Sequence, residues 1–285
     1  MSRYNLAGRT VAITGGTGGL ARALAPALLT RGAHVALLDI DADMAAQTAA
    51  QFGPPNRICG IGADVRSSSQ LEDAMARAAD TYGRLDVVLA NAGVGETGGV
   101  LAHDDVEQWE TMIDINLNGV YRTFRAAQPH VARTRGYMLA TSSMAAFVHS
   151  PLQGGYPASK AGVWALCDTW RLETRHDGIA VGSLHPTFFR TPMMEAVWEN
   201  PAIDRLWHGN TRGLWKQADI DTVVADTARG IERRAARIVS PRRLSFAAAA
   251  PGVAQALIER FGFPGSTIED SVTLAKRSEI RALPG

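Results

Sequence analysis

A tyrosine and a lysine four residues apart are the strongest candidates for chemistry in this chain. Tyr156 and Lys160 stand in the stretch Tyr-Pro-Ala-Ser-Lys. On a helix, residues at this spacing lie on one face, one turn apart. An ammonium group beside a phenol favours the phenolate and lowers a pKa that is normally about 10. We therefore expect Tyr156 to transfer protons with the help of Lys160.

A serine upstream of this pair supplies a second hydroxyl. Ser143 lies thirteen residues before Tyr156, just after the apolar run Tyr137-Met138-Leu139-Ala140, which predicts a buried strand. A hydroxyl at the carboxyl end of a strand can meet a tyrosine at the start of a helix. Two hydroxyls and one cation at one place suit moving a proton on or off an alcohol oxygen.

The N-terminal part of the chain carries the pattern of a phosphate-binding turn. The β-branched run Thr10–Thr14 predicts a strand, and a glycine-rich turn follows it, opening a helix near Leu20. Glycines let backbone N–H groups approach a pyrophosphate at a helix N-terminus, where the helix dipole favours anions. The candidate residues of this turn are Thr14, Gly15, Thr17, Gly18, Gly19 and Leu20.

An acid at the end of the next predicted strand indicates which nucleotide would bind. Asp39 ends the run His34–Asp39 and lies 20 residues after Gly19, the distance at which an acid meets an adenosine ribose. A carboxylate there accepts hydrogen bonds from the ribose hydroxyls and repels a 2′-phosphate. Positions 16–18 and 40 hold no basic residue. We therefore predict NAD as cofactor, in preference to NADP.

At these residues the chain resembles the short-chain dehydrogenase/reductase family, in its main subgroup of short members. The Tyr156–Lys160 pair alone is weak evidence, because any helix can carry it. The spacing of Ser143, the presence of Asn116 another 27 residues upstream, and the glycine-rich turn strengthen the resemblance. It covers roughly residues 5–240. The expected fold is α/β, one doubly wound domain with seven parallel strands and helices on both faces.

The resemblance implies a role for each catalytic candidate. Tyr156 would exchange the proton of a substrate hydroxyl, and Lys160 would lower its pKa and hold the nicotinamide ribose. Ser143 would hydrogen-bond the substrate oxygen, and Asn116 would support a water that leads to the lysine. The reaction would be reversible hydride transfer between a secondary alcohol or ketone and the nicotinamide.

The resemblance also implies further contacts to the cofactor. Asp64 and Val65 would meet the adenine, and Pro186 and Thr191 would meet the nicotinamide. The segment Asn91-Ala92-Gly93 would stabilise the central sheet and line the cofactor. Thr187 stands where the family usually has glycine; since a β-branched residue does not easily adopt positive φ, we expect this loop to differ locally.

The part of the chain after residue 186 is expected to select the substrate. We predict a dinucleotide-binding domain over 1–240, with a substrate lid at about 187–217 and a tail over 241–285. The lid residues Met193, Met194, Val197, Trp198, Leu206, Trp207, Leu214 and Trp215 favour a bulky apolar substrate, or else fill a small core of the lid itself. The lid cations Arg190, Arg205, Arg212 and Lys216 could meet an acidic substrate or simply be solvated. The apolar tail could cover the cleft, form an oligomer interface or rest on a membrane.

Composition excludes several other classes of protein. The 285 residues carry a net charge of +1, which gives no field for nucleic acid. The two cysteines, Cys59 and Cys167, lack metal-ligand spacing, and His103-Asp104-Asp105 has no partner ligands, so we expect no metal site. No apolar run approaches the ~20 residues of a transmembrane helix, and the N-terminus shows no signal peptide. We expect a cytoplasmic homodimer or homotetramer.

The sequence thus predicts an NAD-dependent alcohol dehydrogenase or ketoreductase acting on a small-molecule substrate. One alternative is a module that senses NAD without catalysis, which would need only the glycine-rich half. A second is an enoyl reductase, which the Ser143-to-Tyr156 interval disfavours. A third is a membrane-associated lipid or steroid ketoreductase of the same reaction class.

Overall fold

A single parallel sheet forms the centre of the molecule. The structure, a computed structural model, describes residues 3–96, 98–103, 105–211, 213, 216–263 and 265–282. The sheet has seven strands in the order β3-β2-β1-β4-β5-β6-β7, all parallel. The strands are β1 Thr10–Thr14, β2 His34–Asp39, β3 Ile58–Gly62, β4 Val87–Ala90, β5 Tyr137–Thr141, β6 Ala180–Pro186 and β7 Arg237–Ser240. The predicted doubly wound fold is confirmed.

Helices cover both faces of this sheet. They are α1 Gly19–Thr30, α2 Ala42–Phe52, α3 Ser68–Tyr82, α4 Val106–Ile113, α5 Gly119–Thr134, α6 Gly155–Glu173, α7 Pro192–Trp198, α8 Pro201–Trp207, α9 Ile220–Arg233, α10 Ser245–Ala249, α11 Pro251–Phe261 and α12 Thr267–Ala282. One apolar core lies between the sheet and α3, α5 and α6. A second lies on the other face, against α1 and α9. The strand order reverses between β1 and β4, and this switch point opens a crevice at the carboxyl ends of the strands.

The sequence predicts one long helix over Val106–Ala132. In the structure this helix is interrupted by a turn that contains a candidate catalytic residue. The segment Asp114–Asn118 is a π-helical turn between α4 and α5. Asn116 lies within it, and its side chain is fully buried. Its Oδ1 accepts a hydrogen bond from Val94 N at 2.8 Å, and its Nδ2 donates to Val94 O at 3.0 Å. The wider turn directs the amide out of the helix and onto the loop after β4.

The loop after β6 does not need the glycine that Thr187 replaces. Among described residues other than glycine, positive φ occurs at Arg135, Leu152, His208, Asn210 and Arg234. Thr187 is therefore not strained. Its N–H donates to Ser240 O at 2.9 Å, which continues the pairing of β6 with β7 beyond Pro186. The apolar run Ile179–Leu184 predicts a strand here. In the structure, β6 spans Ala180–Pro186 and thus lies nearer the carboxyl end of that run.

The lid and the tail pack on the same body as the sheet. The tail residues Leu244, Ala247 and Ala254 are buried against Met144 and Phe147, which follow β5. Helix α12 packs on α8 of the lid, where Arg205 pairs with Asp270 at 2.7 Å. The division into a domain at 1–240 and a tail stays a prediction. Within the described ranges, no helix combines the length and apolar character needed to span a bilayer.

Candidate active site

One cavity brings most of the predicted site residues together. Its volume is about 1250 Å³, and it runs from the glycine-rich turn to the loop that carries Ser143. The predicted residues on its wall are Gly15, Thr17, Gly18, Gly19, Leu20, Asp39, Asp64, Val65, Asn91, Ala92, Gly93, Ser143, Tyr156, Lys160, Pro186 and Thr191. Thr14 and Asn116 do not line the cavity. Each accepts a hydrogen bond from a residue that does, Asn91 for Thr14 and Val94 for Asn116.

Ser143 and Tyr156 both stand on the wall of the cavity. Tyr156 stands in the first turn of α6, and Ser143 directly precedes a short 3₁₀ turn after β5. Burial raises the pKa of Tyr156 above its usual value, and the Ser143 hydroxyl opposes that rise. The Ser143 Oγ also accepts from Ala145 N at 3.1 Å, which leaves its own hydrogen to donate.

Lys160 is buried one turn beyond Tyr156, with only 4% of its surface exposed. Its Nζ donates to Thr141 O at 3.0 Å and lies 5.5 Å from the centroid of the Tyr156 ring. Burial lowers the pKa of Lys160 to about 8, because an ammonium ion loses hydration there. We expected Lys160 to lower the pKa of Tyr156. In the structure, burial raises the pKa of Tyr156, and the group that opposes this rise is Ser143.

Asn116 and Lys160 converge on Gly93. A Cβ at Gly93 would lie 3.0 Å from Asn116 Oδ1 and 3.4 Å from Lys160 Nζ, so only glycine leaves room for both. The Asn116 amide also donates to Ser159 Oγ at 3.3 Å. The buried amide therefore joins the loop after β4 to the helix that carries Tyr156 and Lys160. Asn118, two residues on, is exposed.

The glycine-rich turn is closed by the acid at the end of β2. Asp39 Oδ2 accepts hydrogen bonds from Thr17 N at 3.0 Å and Thr17 Oγ1 at 2.8 Å. Gly15 has φ of 64°, and a Cβ there would lie 2.8 Å from Ala92 Cα. These contacts hold the N-terminus of α1 open toward the cavity, as an anion site requires.

Thr14 and Asn91 join the central strands at the base of the cavity. Thr14 Oγ1 accepts from Asn91 N at 3.0 Å and from Ala92 N at 3.2 Å. Asn91 Nδ2 donates to Thr14 O at 3.1 Å, and Asn91 Oδ1 accepts from Thr141 Oγ1 at 3.2 Å. The ends of β1, β4 and β5 are thereby cross-linked.

Two further pairs of predicted cofactor residues stand at opposite ends of the cavity. Asp64 pairs with Arg66 at 2.8 Å, and a hydrogen bond from Arg66 lowers the pKa of Asp64 below its usual value. Thr191 caps α7 by accepting from Met194 N at 3.2 Å. A Cβ at Gly19 would lie 2.8 Å from Thr191 Cγ2, so the lid begins directly against the glycine-rich turn.

The lid residues divide between the two uses that the sequence left open. Met193, Met194 and Val197 line the cavity. Trp207 is buried with Leu206 in a cluster that includes Ala275 of α12, and Val197 belongs to the same cluster. Trp198 does not line the cavity and donates to Asn210 Oδ1 at 2.6 Å. Leu214, Trp215, Arg212 and Asp104 lie outside the described residues.

The lid cations that the structure describes are not on the cavity wall. Arg190 pairs with Glu195 at 2.9 Å, and Arg205 pairs with Asp270. Neither these two nor Lys216 lines the cavity. An acidic substrate held by the described lid cations is therefore disfavoured.

Sequence analysis missed Glu96, which acts on the catalytic helix. Glu96 Oε1 accepts from Gly154 N at 3.1 Å, and Oε2 accepts from Tyr156 N at 2.9 Å. An anion at this place satisfies free N–H groups and complements the dipole of α6. The residue that caps the helix is 60 positions away from Tyr156. No local pattern such as a capping box could have revealed it.

His185 is a second residue that sequence analysis missed. It is fully buried in β6, where Nδ1 lies 3.0 Å from Ser143 O and Nε2 lies 2.8 Å from Ser183 Oγ. A carbonyl only accepts, so Nδ1 carries the hydrogen and Nε2 accepts from the Ser183 hydroxyl. Burial lowers the pKa of His185 to about 4. The ring, stacked on Phe147 at 4.3 Å, supports the Ser143 backbone from behind.

Within the described ranges, His, Cys, Asp and Glu residues do not gather in threes around a point where a metal ion could bind. Cys59 and Cys167 are free thiols.

Comparison with known proteins agrees with this geometry. The family model described as short chain dehydrogenase matches residues 9–202. An uncharacterised NAD-dependent oxidoreductase of Mycobacterium tuberculosis is 34% identical over 207 residues, covering 67% of this chain and 75% of the relative. The oxidoreductase UcpA of Salmonella typhimurium is 33% identical over 194 residues, covering 67% and 73%.

Solved structures show the same fold at lower identity. A short-chain dehydrogenase/reductase from Burkholderia phymatum, in complex with NAD, superposes with a TM-score of 0.75 at 23% identity, covering 88% of this chain and 97% of its own. A 3-ketoacyl-(acyl-carrier-protein) reductase from Brucella melitensis, complexed with NADH, gives 0.73 at 22%, covering 82% and 97%. The family model matches more than half of the chain, and both relatives are oxidoreductases by name. The chain belongs to the short-chain dehydrogenase/reductase family.

Proposed function

We propose that this chain is an NAD-dependent oxidoreductase that interconverts a secondary alcohol and a ketone, on a bulky apolar substrate. The observation that carries the proposal is that Ser143 and Tyr156 stand on the wall of one cavity, with Lys160 buried one turn beyond Tyr156. The Mycobacterium tuberculosis relative, named as NAD-dependent, supports the cofactor.

The residues on the cavity wall fit a dinucleotide. The free N–H groups at the start of α1 would receive the pyrophosphate, and Asp39 the adenosine ribose. Asp64 and Val65 would border the adenine; Tyr156, Lys160, Pro186 and Thr191 would border the nicotinamide half. The close approach of Gly15 to Ala92 leaves no room for a side chain at this turn. When bound, NAD accepts or supplies the hydride.

The chain's own residues would manage the proton. In oxidation, Tyr156 takes the hydroxyl proton of the substrate; in reduction it returns the proton. Ser143 donates a hydrogen bond to the substrate oxygen, where negative charge grows. Lys160, with its pKa near 8, carries positive charge at neutral pH and favours the ionised tyrosine. Asn116 joins the loop after β4 to α6 through Val94 and Ser159, and it would support a water that leads to Lys160.

A spectrophotometric panel tests this proposal. Purified protein would be given NAD or NADP with secondary alcohols that range from short aliphatic to terpene and steroid, and absorbance at 340 nm would be followed. Turnover of bulky alcohols with NAD is expected. Silence across the panel, with NAD binding shown by titration, would contradict the proposed reaction and favour a sensor of NAD.

The proposal extends to a cytoplasmic homodimer or homotetramer. Tyr121 on α5 and Leu172 on α6 are apolar residues with 45% and 69% of their surfaces exposed. Such residues on neighbouring helices support a contact between copies. Sedimentation velocity would test it: a purely monomeric species at micromolar concentration would contradict the oligomer.

A further inference from the structure

Helices α10 and α11, in the C-terminal tail, form one wall of the catalytic cavity. Ala254, Leu257, Ile258 and Phe261 of α11 all line the cavity that holds Tyr156, as does Phe246 of α10. Their spacing along α11 is that of one helical face. These residues lie beyond the 9–202 region that the family model matches.

This face has a buried half and an open half. Ala254 and Ile258 are 3% and 7% exposed, and Ala254 packs in the cluster that contains Met144 and Phe147. Leu257 and Phe261 are 49% and 67% exposed, although both border the cavity. The helix is thus anchored on the loop that carries Ser143 and presents two large apolar side chains beside the open space.

Phe246 extends the open surface from α10. Its side chain is 53% exposed and also lines the cavity. The lid contributes Met193, which is 40% exposed and also lines the cavity. Large apolar groups left open around one cavity indicate an apolar ligand between them, because burying them is favourable in water.

The charges of the cavity indicate a neutral ligand. The wall residues Arg22, Asp39, Asp64 and Arg66 border the arm assigned to adenosine. Near the reacting hydroxyls, the described ionisable wall residues are Glu96, Tyr156 and Lys160. Glu96 is committed to the start of α6, and Lys160 to Thr141 O. No described arginine stands at this end to pair with a carboxylate or phosphate.

We propose that Phe246, Leu257 and Phe261 form a distal subsite for the apolar tail of a neutral secondary alcohol or ketone. This inference rests on the proposed function and names the substrate class of the same site: a carbinol or carbonyl at Ser143 and Tyr156, continued by an extended hydrocarbon body. The subsite is continuous with the catalytic cavity, which favours the substrate over a membrane or a second copy as its occupant.

A homologous series of alcohols tests the subsite. With NAD and the linear 2-alkanols from 2-butanol to 2-dodecanol, kcat/KM of the wild type should rise by about fourfold for each methylene that reaches the subsite. In Leu257→Ala and Phe261→Ala, KM for the long alcohols should rise, so that kcat/KM no longer increases with chain length. The oxidation of 2-butanol should be unchanged. Val253→Ala is the matched control, since Val253 is on the same helix, 64% exposed, and does not line the cavity.

A binding measurement keeps the test independent of turnover. The neutral fluorophore N-phenyl-1-naphthylamine should bind the wild type, be displaced by 2-dodecanone, and bind at least tenfold more weakly in Leu257→Ala and Phe261→Ala. If no alcohol is oxidised but this displacement holds, the proposed reaction fails and the apolar subsite stands.

Three results would overturn the subsite. The first is oxidation of 2-butanol with no dependence on chain length and no difference between the variants and the wild type. The second is loss of binding to phosphatidylcholine vesicles in the variants without a change in the alcohol series, which would assign the surface to a membrane. The third is loss of a dimer in Phe261→Ala by sedimentation velocity, again with an unchanged series, which would assign it to a second copy.

Discussion

At the scale of single residues, the site depends on groups held by long-range contacts. Ser143 and Tyr156 line the same cavity, and Glu96 holds the backbone N–H of Tyr156 itself. Asn116 then fixes Val94, two residues before Glu96, through both its N–H and its carbonyl. The loop after β4 and the start of α6 are therefore joined, and the position of the Tyr156 hydroxyl depends on that junction.

Glu96→Gln should lower turnover more than it weakens cofactor binding. The amide keeps one oxygen that can accept a hydrogen bond, but it loses the second acceptor and the charge at the start of α6. We expect kcat to fall about tenfold, with the Kd for NAD unchanged within twofold and about 1 kcal/mol lost from the unfolding free energy. Steady-state kinetics and NAD titration measure this.

The control for that change is Glu110→Gln, on the exposed surface of α4. It makes the same chemical change without touching α6 and should match the wild type. An unaltered kcat in Glu96→Gln would show that the carboxylate does not position Tyr156.

Asp39→Ala should weaken NAD about tenfold and reduce the preference over NADP. The variant removes the carboxylate that would accept hydrogen bonds from the ribose and repel a 2′-phosphate, and hydrogen bonds to charged groups contribute about 1.5–3 kcal/mol. It also frees Thr17, which Asp39 now holds. Kd values for both nucleotides measure the effect, with the exposed Asp43→Ala as control. An unchanged ratio of the two affinities would refute the ribose role.

At the scale of elements, the sequence predicted what local patterns determine. The strands Thr10–Thr14 and His34–Asp39 have the predicted bounds, and the helix predicted to open near Leu20 begins at Gly19. The helix over 106–132 was wrong in its middle, because the π turn at Asn116 is imposed by a contact with Val94 that is distant in sequence.

Strand β6 carries a pH-dependent element. The unfolded chain binds a proton at His185 near pH 6.5, whereas burial holds the pKa of the folded chain at about 4. Because the unfolded state binds more protons in this window, stability rises with pH from 4 to 6.5 and falls on acidification. We expect His185 to account for a loss of about 2 kcal/mol between pH 7 and pH 4.5.

Urea unfolding of His185→Asn at these two pH values measures this contribution. The variant should lose less stability on acidification than the wild type by that amount. His130, whose pKa is also lowered by burial, is retained in both proteins and cancels. Equal losses in the two proteins would show that His185 does not titrate in this window.

At the scale of the whole molecule, the motifs shared with the short-chain dehydrogenase/reductase family were enough to predict the fold. Alternating strands and helices predict a parallel sheet, and the sheet brings Gly15, Asp39, Asn91 and Ser143 to one edge. The tail over 241–285 was different. Its apolar composition did not distinguish between a cover for the cleft, a surface that rests on a membrane and an oligomer interface. Only the packing of α11 on the loop after Ser143 brings Leu257 and Phe261 beside the cavity.

The most direct test of the account compares the wild type with Tyr156→Phe in NADH formation from a bulky secondary alcohol at 340 nm. The ring and its packing remain, and only the hydroxyl that transfers the proton is lost. We predict that NAD binds with the same affinity and that turnover falls by at least a hundredfold. Turnover close to that of the wild type would contradict the assignment of Tyr156 as the proton-transfer group, and with it the proposed mechanism.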